Sequence, residues 1–408
     1  MLRWMHKVRL YPTTTQVARL EHTLHRTRNL WNAALEQRIY EYRSHRRRVT
    51  AQMQYAEVTD LRALSACDAA LYRECQDTVL HRLELAMQAF FRRIKRGETP
   101  GFPRFKSDAR WSQLEYSHGN RALKLNEDQS KLRIPGIGDV RLRKGREIPS
   151  NYGRAFVVRK NGKWCAVFEC KRPVEPMPVS GRVVGIDAGI TALLATSDGD
   201  LIVNPRHLDA HRASVERAAI RLDERTVKDA LGRPENRRDP KRIAAVRRLA
   251  RAKESEANAR RDALHKLSSR LVGAYDGIAM ERLDLRAMTR SAKGTIGVPG
   301  RNVAAKSGLN RALLDTGFGT LRQLIVEKAA WAARMVAVVD PRYTSQTCFA
   351  CRAVAAESRK GTRFVCIRCG HGDHAEVNAA RNILAKAEWP PPRVLSPGDA
   401  RLTRHDTA

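Results

Sequence analysis

Two Cys-x2-Cys pairs near the C-terminus, Cys348/Cys351 and Cys366/Cys369, carry the most specific chemistry in this chain. Joined by a short basic linker, two such knuckles can hold one tetrahedral zinc with four thiolates at about 2.3 Å. A closed four-thiolate shell builds a rigid module and leaves no position open for catalysis, so a structural zinc is expected. Three acids add a second chemistry. Asp187 ends the apolar run Val183-Val184-Gly185-Ile186, Glu281 ends Ile278-Ala279-Met280, and Glu376 opens the last helical stretch. A carboxylate at the end of a buried strand is costly unless something pairs with it. Divalent cations supply that partner. Two of them about 4 Å apart can activate water and stabilise the leaving oxygen in phosphodiester hydrolysis. Carboxylate oxygens are the ligands that magnesium and manganese prefer. Asp373 is the alternative to Glu376 as third ligand. His371, two residues after the fourth cysteine, reads as a packing residue and not a ligand, and His374 either approaches the acidic site or lies on the surface.

Composition narrows the partner. The chain has 408 residues and a formal net charge of +33, with a pI near 10.6. Solubility is served better by Asp and Glu than by Lys and Arg, so this surplus points to a polyanion, and nucleic acid is the expected one. No apolar run approaches the ~20 residues of a membrane span, and the N-terminus carries no signal-peptide pattern. Metal-type rather than disulfide-type cysteine spacing suits a reducing cytoplasm, here a prokaryotic, nucleoid-associated one. Cys67, Cys75, Cys165 and Cys170 are expected to be buried free thiols.

The elements that must position these residues can be read from periodicity. Residues 2–11 alternate apolar and basic and predict a strand stopped by Pro12. Thr13 to Thr15 offer caps for a long helix with Val17, Leu20, Leu24, Trp31 and Leu35 on one face and arginines on the other. Further helical stretches are expected at about 55–66 and 77–95, giving a basic helical domain over 13–96. Residues 97–106 break the helix. Alternating runs at 123–125, 132–134 and 140–142, and a hairpin over 155–169 turning at Asn161-Gly162, suit a small β-barrel that the first strand joins. From Arg182 the runs become buried strands ending at Asp187 and Glu281. An arginine-rich helical pair covers about 206–274, interrupted by Pro234 and Pro240. Residues 286–306 are expected to form a mobile loop, 309–334 one helix, 335–340 a strand and 377–388 the last helix.

Together these segments resemble the transposon-encoded TnpB nucleases and the related miniature type V CRISPR effectors. The resemblance covers the chain to about residue 388. It is carried by Gly185-Ile186-Asp187, Met280-Glu281-Arg282-Leu283, Gly308-Leu309-Asn310-Arg311 with Trp331-Ala332, Val339 to Cys348, Cys366 to His371, and Asn378 to Ile383. Leu10-Tyr11-Pro12-Thr13 and Gly101-Phe102-Pro103-Arg104-Phe105-Lys106 also match. It implies a multidomain α+β fold. An RNase H-like, RuvC-type nuclease domain would occupy 182–340 and 371–388, with a zinc ribbon inserted at 341–370. A wedge-like β-barrel would occupy 1–12 and 97–181, a helical recognition domain 13–96, and a disordered tail 389–408. It also implies an RNA-guided double-stranded DNA endonuclease, acting as a monomer on its guide RNA, with Asp187, Glu281 and Glu376 as magnesium or manganese ligands. The displaced single strand would pass to these acids, under a lid formed by 286–306. One departure stands out: family members usually carry Asp where this chain has Glu376, and many carry a second Asp where it has His374. Magnesium is strict about geometry, so the alternative is an RNA-guided DNA-binding protein that cuts weakly or not at all. A guide-free transposase-like factor or zinc-ribbon regulator would not need so large an N-terminal half.

Overall fold

Thr13 opens the first helix by a reciprocal cap: its hydroxyl accepts the Gln16 N–H while the Gln16 side chain accepts the Thr13 N–H. The computed structural model describes residues 2–143, 145, 147–295 and 297–390, which divide into two compact units, Met1–Arg172 and Pro173–Ala408. No helix among the described residues is long and apolar enough to cross a membrane.

In the first unit, strand β1 (Leu2–Tyr11) leads into α1 (Thr14–His45), α2 (Ala51–Leu64), the short α3 (Ala66–Ala69) and α4 (Arg73–Lys95). These are followed by β2 (Gln113–Tyr116), a single turn α5 (Gly119–Ala122), β3 (Lys124–Leu125), β4 (Lys131–Ile134), β5 (Gly138–Leu142), β6 (Ala155–Lys160) and β7 (Lys163–Arg172). The strands form one antiparallel sheet in the order β2-β6-β7-β1-β5-β4-β3. Asn161 and Gly162 link β6 to β7 with φ of 51° and 74°, the positive angles that a two-residue hairpin loop demands. The expected barrel does not close. Among the described residues no pairing joins β2 to β3, and these edge strands are only four and two residues long. A single apolar core instead runs through α1, α4 and the sheet, with Leu20, Leu35, Leu80 and Leu83 packed with Leu132, Val157 and Phe168. Cys75, Cys165 and Cys170 are buried as expected, whereas Cys67, on α3, is exposed.

The second unit begins with β8 (Val183–Asp187), β9 (Ala192–Thr196) and β10 (Leu201–Val203), then α6 (His207–Glu224) and α7 (Pro240–Ala274). Strand β11 (Gly277–Glu281), the short α8 (Leu285–Met288), α9 (Val303–Thr316), α10 (Phe318–Trp331) and β12 (Met335–Val339) follow. Strands β13 (Arg359–Lys360), β14 (Arg363–Val365) and β15 (Gly372–His374) precede α11 (Ala375–Lys386). The central sheet has the order β10-β9-β8-β11-β12. Strands β10, β9 and β8 pair antiparallel, and β8, β11 and β12 pair parallel. Alternation gives the sheet two apolar faces. Val184, Ile186, Ile278 and Met280 share a core with Leu264 and Leu271 of α7 and Leu321 and Ile325 of α10. Ala279, Ala337 and Val339 pack on the other face against Ile383 of α11.

Three further segments differ from expectation. The helix expected over 309–334 is two helices, because Gly317 adopts φ +67° between them, and a Cβ there would stand 2.8 Å from Leu264 Cδ1. The loop expected over 286–306 is shorter, because α8 and α9 take residues from each end. The tail does not begin at 389: Trp389 packs with Ala279, Ala337 and Val339 over Gly277, which has no side chain to exclude its ring. Residues 391–408 of the expected tail lie outside the described residues.

Candidate active site and metal centre

Asp187 and Glu281 are brought together by strand register. Ile186 pairs with Met280 across parallel strands, so the two acids are neighbours at the carboxyl ends of β8 and β11, about 4.8 Å apart in the sheet. Gly185 and Ala279 lie on the face covered by α11, and alternation puts Asp187 and Glu281 on that same face.

Glu376 arrives from α11, and a glycine makes this possible. A Cβ on Gly185 would overlap the Ala380 carbonyl oxygen and approach the Leu384 nitrogen at 2.7 Å, so the helix backbone lies directly on β8. The helix runs opposite to the strand, because Gly189, farther along the chain, faces Glu376, one turn earlier on the helix. From Gly185 to Asp187 the strand covers about 6.6 Å and from Ala380 to Glu376 the helix covers about 6 Å, so the two acids meet. Glu376 is 7% exposed and sits in the first turn of α11, where the helix dipole favours a negative charge. Its Oε2 is buried without a hydrogen-bond partner.

The electrostatics show the crowding. Burial, and then the charges of Glu281 and Glu376, push the Asp187 carboxyl up to about 7. Burial also raises Glu281, opposed first by the hydroxyl of Thr344, which donates to Glu281 Oε1, and then by Lys386 and Arg359. Three acids in one partly dry pocket, one with an orphaned oxygen, are a donor set suited to hard divalent cations. They are not gathered as tightly as a single-ion shell. Among the described residues, only the four cysteines form such a group.

Asp373 is not part of this set. Its Oδ2 is held by Arg381 Nη1 at 2.6 Å and its Oδ1 accepts the His374 N–H at 2.8 Å. His374 is the residue before α11, and its Nδ1 is buried without a hydrogen-bond partner, so it is less exposed than a surface residue would be. The backbone carbonyl of His371 accepts the Cys366 N–H at 2.9 Å, a packing role.

The four thiols converge within 4.8 Å of one another. Cys348 Sγ lies 3.7 Å from Cys369 Sγ, and Cys351 Sγ 3.6 Å from Cys366 Sγ. A tetrahedron with 2.3 Å arms has edges of about 3.8 Å, so the cage has the right size for a metal held by four sulfurs. The backbone N–H of Cys369 and then that of Arg368 help bring the Cys366 thiol down to about 6, favouring the thiolate that binds metal.

Two sets of residues had no assigned role in the sequence reading. Asn378 and Asn382, one turn apart on α11 and both buried, tie the knuckle to the helix. Asn378 accepts the Phe349 N–H at 2.9 Å and donates to the Thr347 carbonyl at 2.8 Å. Asn382 donates to the carbonyls of Thr344 at 3.0 Å and Thr347 at 2.6 Å. Their i, i+4 spacing on an alanine-rich face was the available signal. Arg359, at the start of β13, places its charge close enough to lower both Asp187 and Glu281. Nothing in its local sequence distinguishes it from its basic neighbours.

Comparison with known proteins agrees with these features. Family profiles match at residues 1–47 ("Helix-turn-helix domain"), 166–292 ("Probable transposase") and 318–383 ("Cas12f1-like, TNB domain"). The first stretch is here a strand and one continuous helix. The chain is 34% identical over 308 residues to "Putative RNA-guided DNA endonuclease InsQ" of Escherichia coli strain K12, covering 75% of this chain and 72% of that protein. A Streptomyces pristinaespiralis relative with the same general description is 29% identical over 393 residues, covering 93% of this chain and 88% of the relative. The CRISPR-associated endodeoxyribonuclease Cas12f1 of Sulfoacidibacillus thermotolerans is 40% identical over 75 residues, 18% of each chain. The chain belongs to the TnpB-type family of transposon-encoded RNA-guided nucleases, to which the miniature type V CRISPR effectors are related.

Proposed function

We propose that this protein is an RNA-guided endonuclease that cuts double-stranded DNA at Asp187, Glu281 and Glu376. One observation carries the reading: β8, β11 and α11 deliver three acids, distant in sequence, to one end of one sheet. The strand order and directions suit an RNase H-like, RuvC-type nuclease domain. We assign the four thiols to a structural zinc in an inserted ribbon. The open sheet and helices of the first unit would form the wedge and recognition domains.

Magnesium or manganese at the three acids would activate water and neutralise the leaving oxygen. The protein's own residues do the positioning. Thr344 holds one oxygen of Glu281 and so fixes its carboxylate. Gly189 leaves room for the longer side chain of Glu376, so the substitution of the usual Asp is accommodated by the pocket. Arg359 and Lys386 bring positive charge to the acids, where a scissile phosphate must approach two or three negative groups. The arginine faces of α1, α6 and α7 supply phosphate contacts, while pairing with the guide reads sequence.

The test is plasmid cleavage by the protein co-purified with its own RNA, in magnesium and in manganese. Cleavage that disappears in Asp187→Ala, with RNA and target binding kept, supports the proposal. Target binding without cleavage in either metal would instead establish an RNA-guided binding protein.

A further inference from the structure

Beyond this nuclease centre, we infer that the loop 97–106 is a nucleotide-binding site for a single-stranded stretch of the guide RNA, with a phosphate held by Lys106 and its cationic neighbours and bases stacked on Phe102 and Phe105. This rests on the RNA-guided reading above but uses none of the nuclease residues.

The loop is built, not slack. Trp31 Nε1 donates to the Arg104 carbonyl at 3.1 Å. Asn32 grips both sides of Lys106, accepting its N–H at 2.7 Å and donating to its carbonyl at 3.0 Å. At the other end, Arg93 donates to the Gly101 carbonyl at 3.3 Å. This scaffold holds side chains that the core does not need. Phe102 is 42% exposed and Phe105 52%, and Phe91 of α4 is 51% exposed. The rings of Phe91 and Phe102 both meet Phe90 edge-on, at 5.2 and 5.1 Å, so these three rings adjoin one another.

Among the described residues, few carboxylates balance the charges around it. Lys106 lies over the Trp31 ring at 5.1 Å and Arg82 over the Trp111 ring at 4.8 Å, and these two rings are themselves 5.6 Å apart. Arg82 reaches a carboxylate only at 4.0 Å, at Glu115, and Asp108 is taken by Arg28. Among the described residues no carboxylate forms an ion pair with Arg104, Lys106 or Arg110. Burial, and then the nearby charges of Arg82, Arg110 and Arg104, lower the Lys106 ammonium. Such a crowd is relieved by an anion, and exposed rings beside cations are what unpaired bases and their phosphates require. The same charge disfavours a second copy of this chain as occupant. The guide is the strand that stays with the protein between targets, so it is the one available to neutralise a permanent cationic cluster.

Full-length protein, freed of bound RNA, would be titrated with a labelled single-stranded uridine 12-mer and with the corresponding thymidine DNA 12-mer at several salt concentrations. Phe102→Ala/Phe105→Ala should weaken RNA binding about 5-fold or more with an unchanged salt slope, because stacking is not ionic. Arg104→Gln/Lys106→Gln should weaken it while lowering the salt slope by about one for each phosphate no longer neutralised. Phe102→Tyr/Phe105→Tyr should restore binding, separating stacking from a folding defect. Wild-type RNA affinity and slope in both damaged variants would overturn the site. Loss confined to the DNA oligonucleotide would overturn its assignment to the guide. If the wild type co-purifies with no RNA, the RNA-guided reading fails; if it does and the variants retain the same RNA at wild-type affinity, only this site fails.

Discussion

The Cβ that Gly189 lacks would stand 2.8 Å from Glu376 Oε1 and 2.8 Å from the Ala192 carbonyl oxygen. The acid therefore occupies space that only glycine leaves open, and the carbonyl on the other side cannot yield. Gly189→Ala is expected to displace the Glu376 carboxylate and lower the cleavage rate about 10²-fold, the usual consequence of an ångström-scale shift. RNA and target binding should be unchanged. Wild-type cleavage by this variant, measured on plasmid DNA, would show that Glu376 does not act from this position.

Asp187 predicts a stability signature without added metal. Its folded carboxyl sits at about 7, above its value in the unfolded chain, so the folded state holds the proton more tightly. Stability from this group is complete below the unfolded pKa and falls as pH rises toward and through 7. Asp187→Asn should therefore raise Tm in chelator at pH 8 and leave it unchanged near pH 3. Magnesium should raise Tm of the wild type at pH 8 more than that of the variant. Thermal scans at the two pH values decide this.

For the cysteine cage, Cys348→Ser removes a fully buried ligand. Zinc per chain should fall from one toward zero by elemental analysis, and the unit Pro173–Ala408 should lose protection in hydrogen exchange around 341–374. Retained stoichiometry would refute the zinc assignment.

Asn378 joins the knuckle to α11 through two hydrogen bonds. Asn378→Ala leaves the Phe349 N–H unsatisfied, while the Thr347 carbonyl keeps its bond from Asn382, and should cost about 1–3 kcal/mol. Zinc content should be kept, since no ligand is lost. Cleavage should fall more than target binding, because Thr344, which holds Glu281, leaves the same segment.

Arg359 should matter to cleavage and little to binding. Arg359→Ala removes the charge that offsets Asp187 and Glu281 and should slow cleavage of bound target in single turnover, with lysine restoring part of the rate. Equal losses in target affinity and rate would assign it to DNA binding instead.

Local patterns in the sequence were reliable where local physics decides. The Thr13 cap, the Asn161-Gly162 hairpin, the proline-started α7 and the strands ending in Asp187 and Glu281 all follow from short-range sterics, capping and alternation. The failures were long-range. Whether the antiparallel sheet closes depends on the length and meeting of β2 and β3, which alternation does not encode. Gly317 splits a periodic apolar stretch because of its neighbour Leu264 on another helix, and Trp389 is ordered because Gly277 leaves a gap for its ring.

The same division applies to the site. Side-chain chemistry was legible in the chain alone: four thiols at knuckle spacing, carboxylates at strand ends and a helix start, and a positive charge suited to nucleic acid. Folding in three dimensions separates the two candidate acids, placing Glu376 against Gly189 and pairing Asp373 with Arg381. It alone brought Arg359 of the knuckle toward the acids and gave Asn378 and Asn382 their work. The reason is physical: residue chemistry is carried by each side chain alone, whereas proximity depends on register between β8 and β11 and on how closely α11 can lie over Gly185.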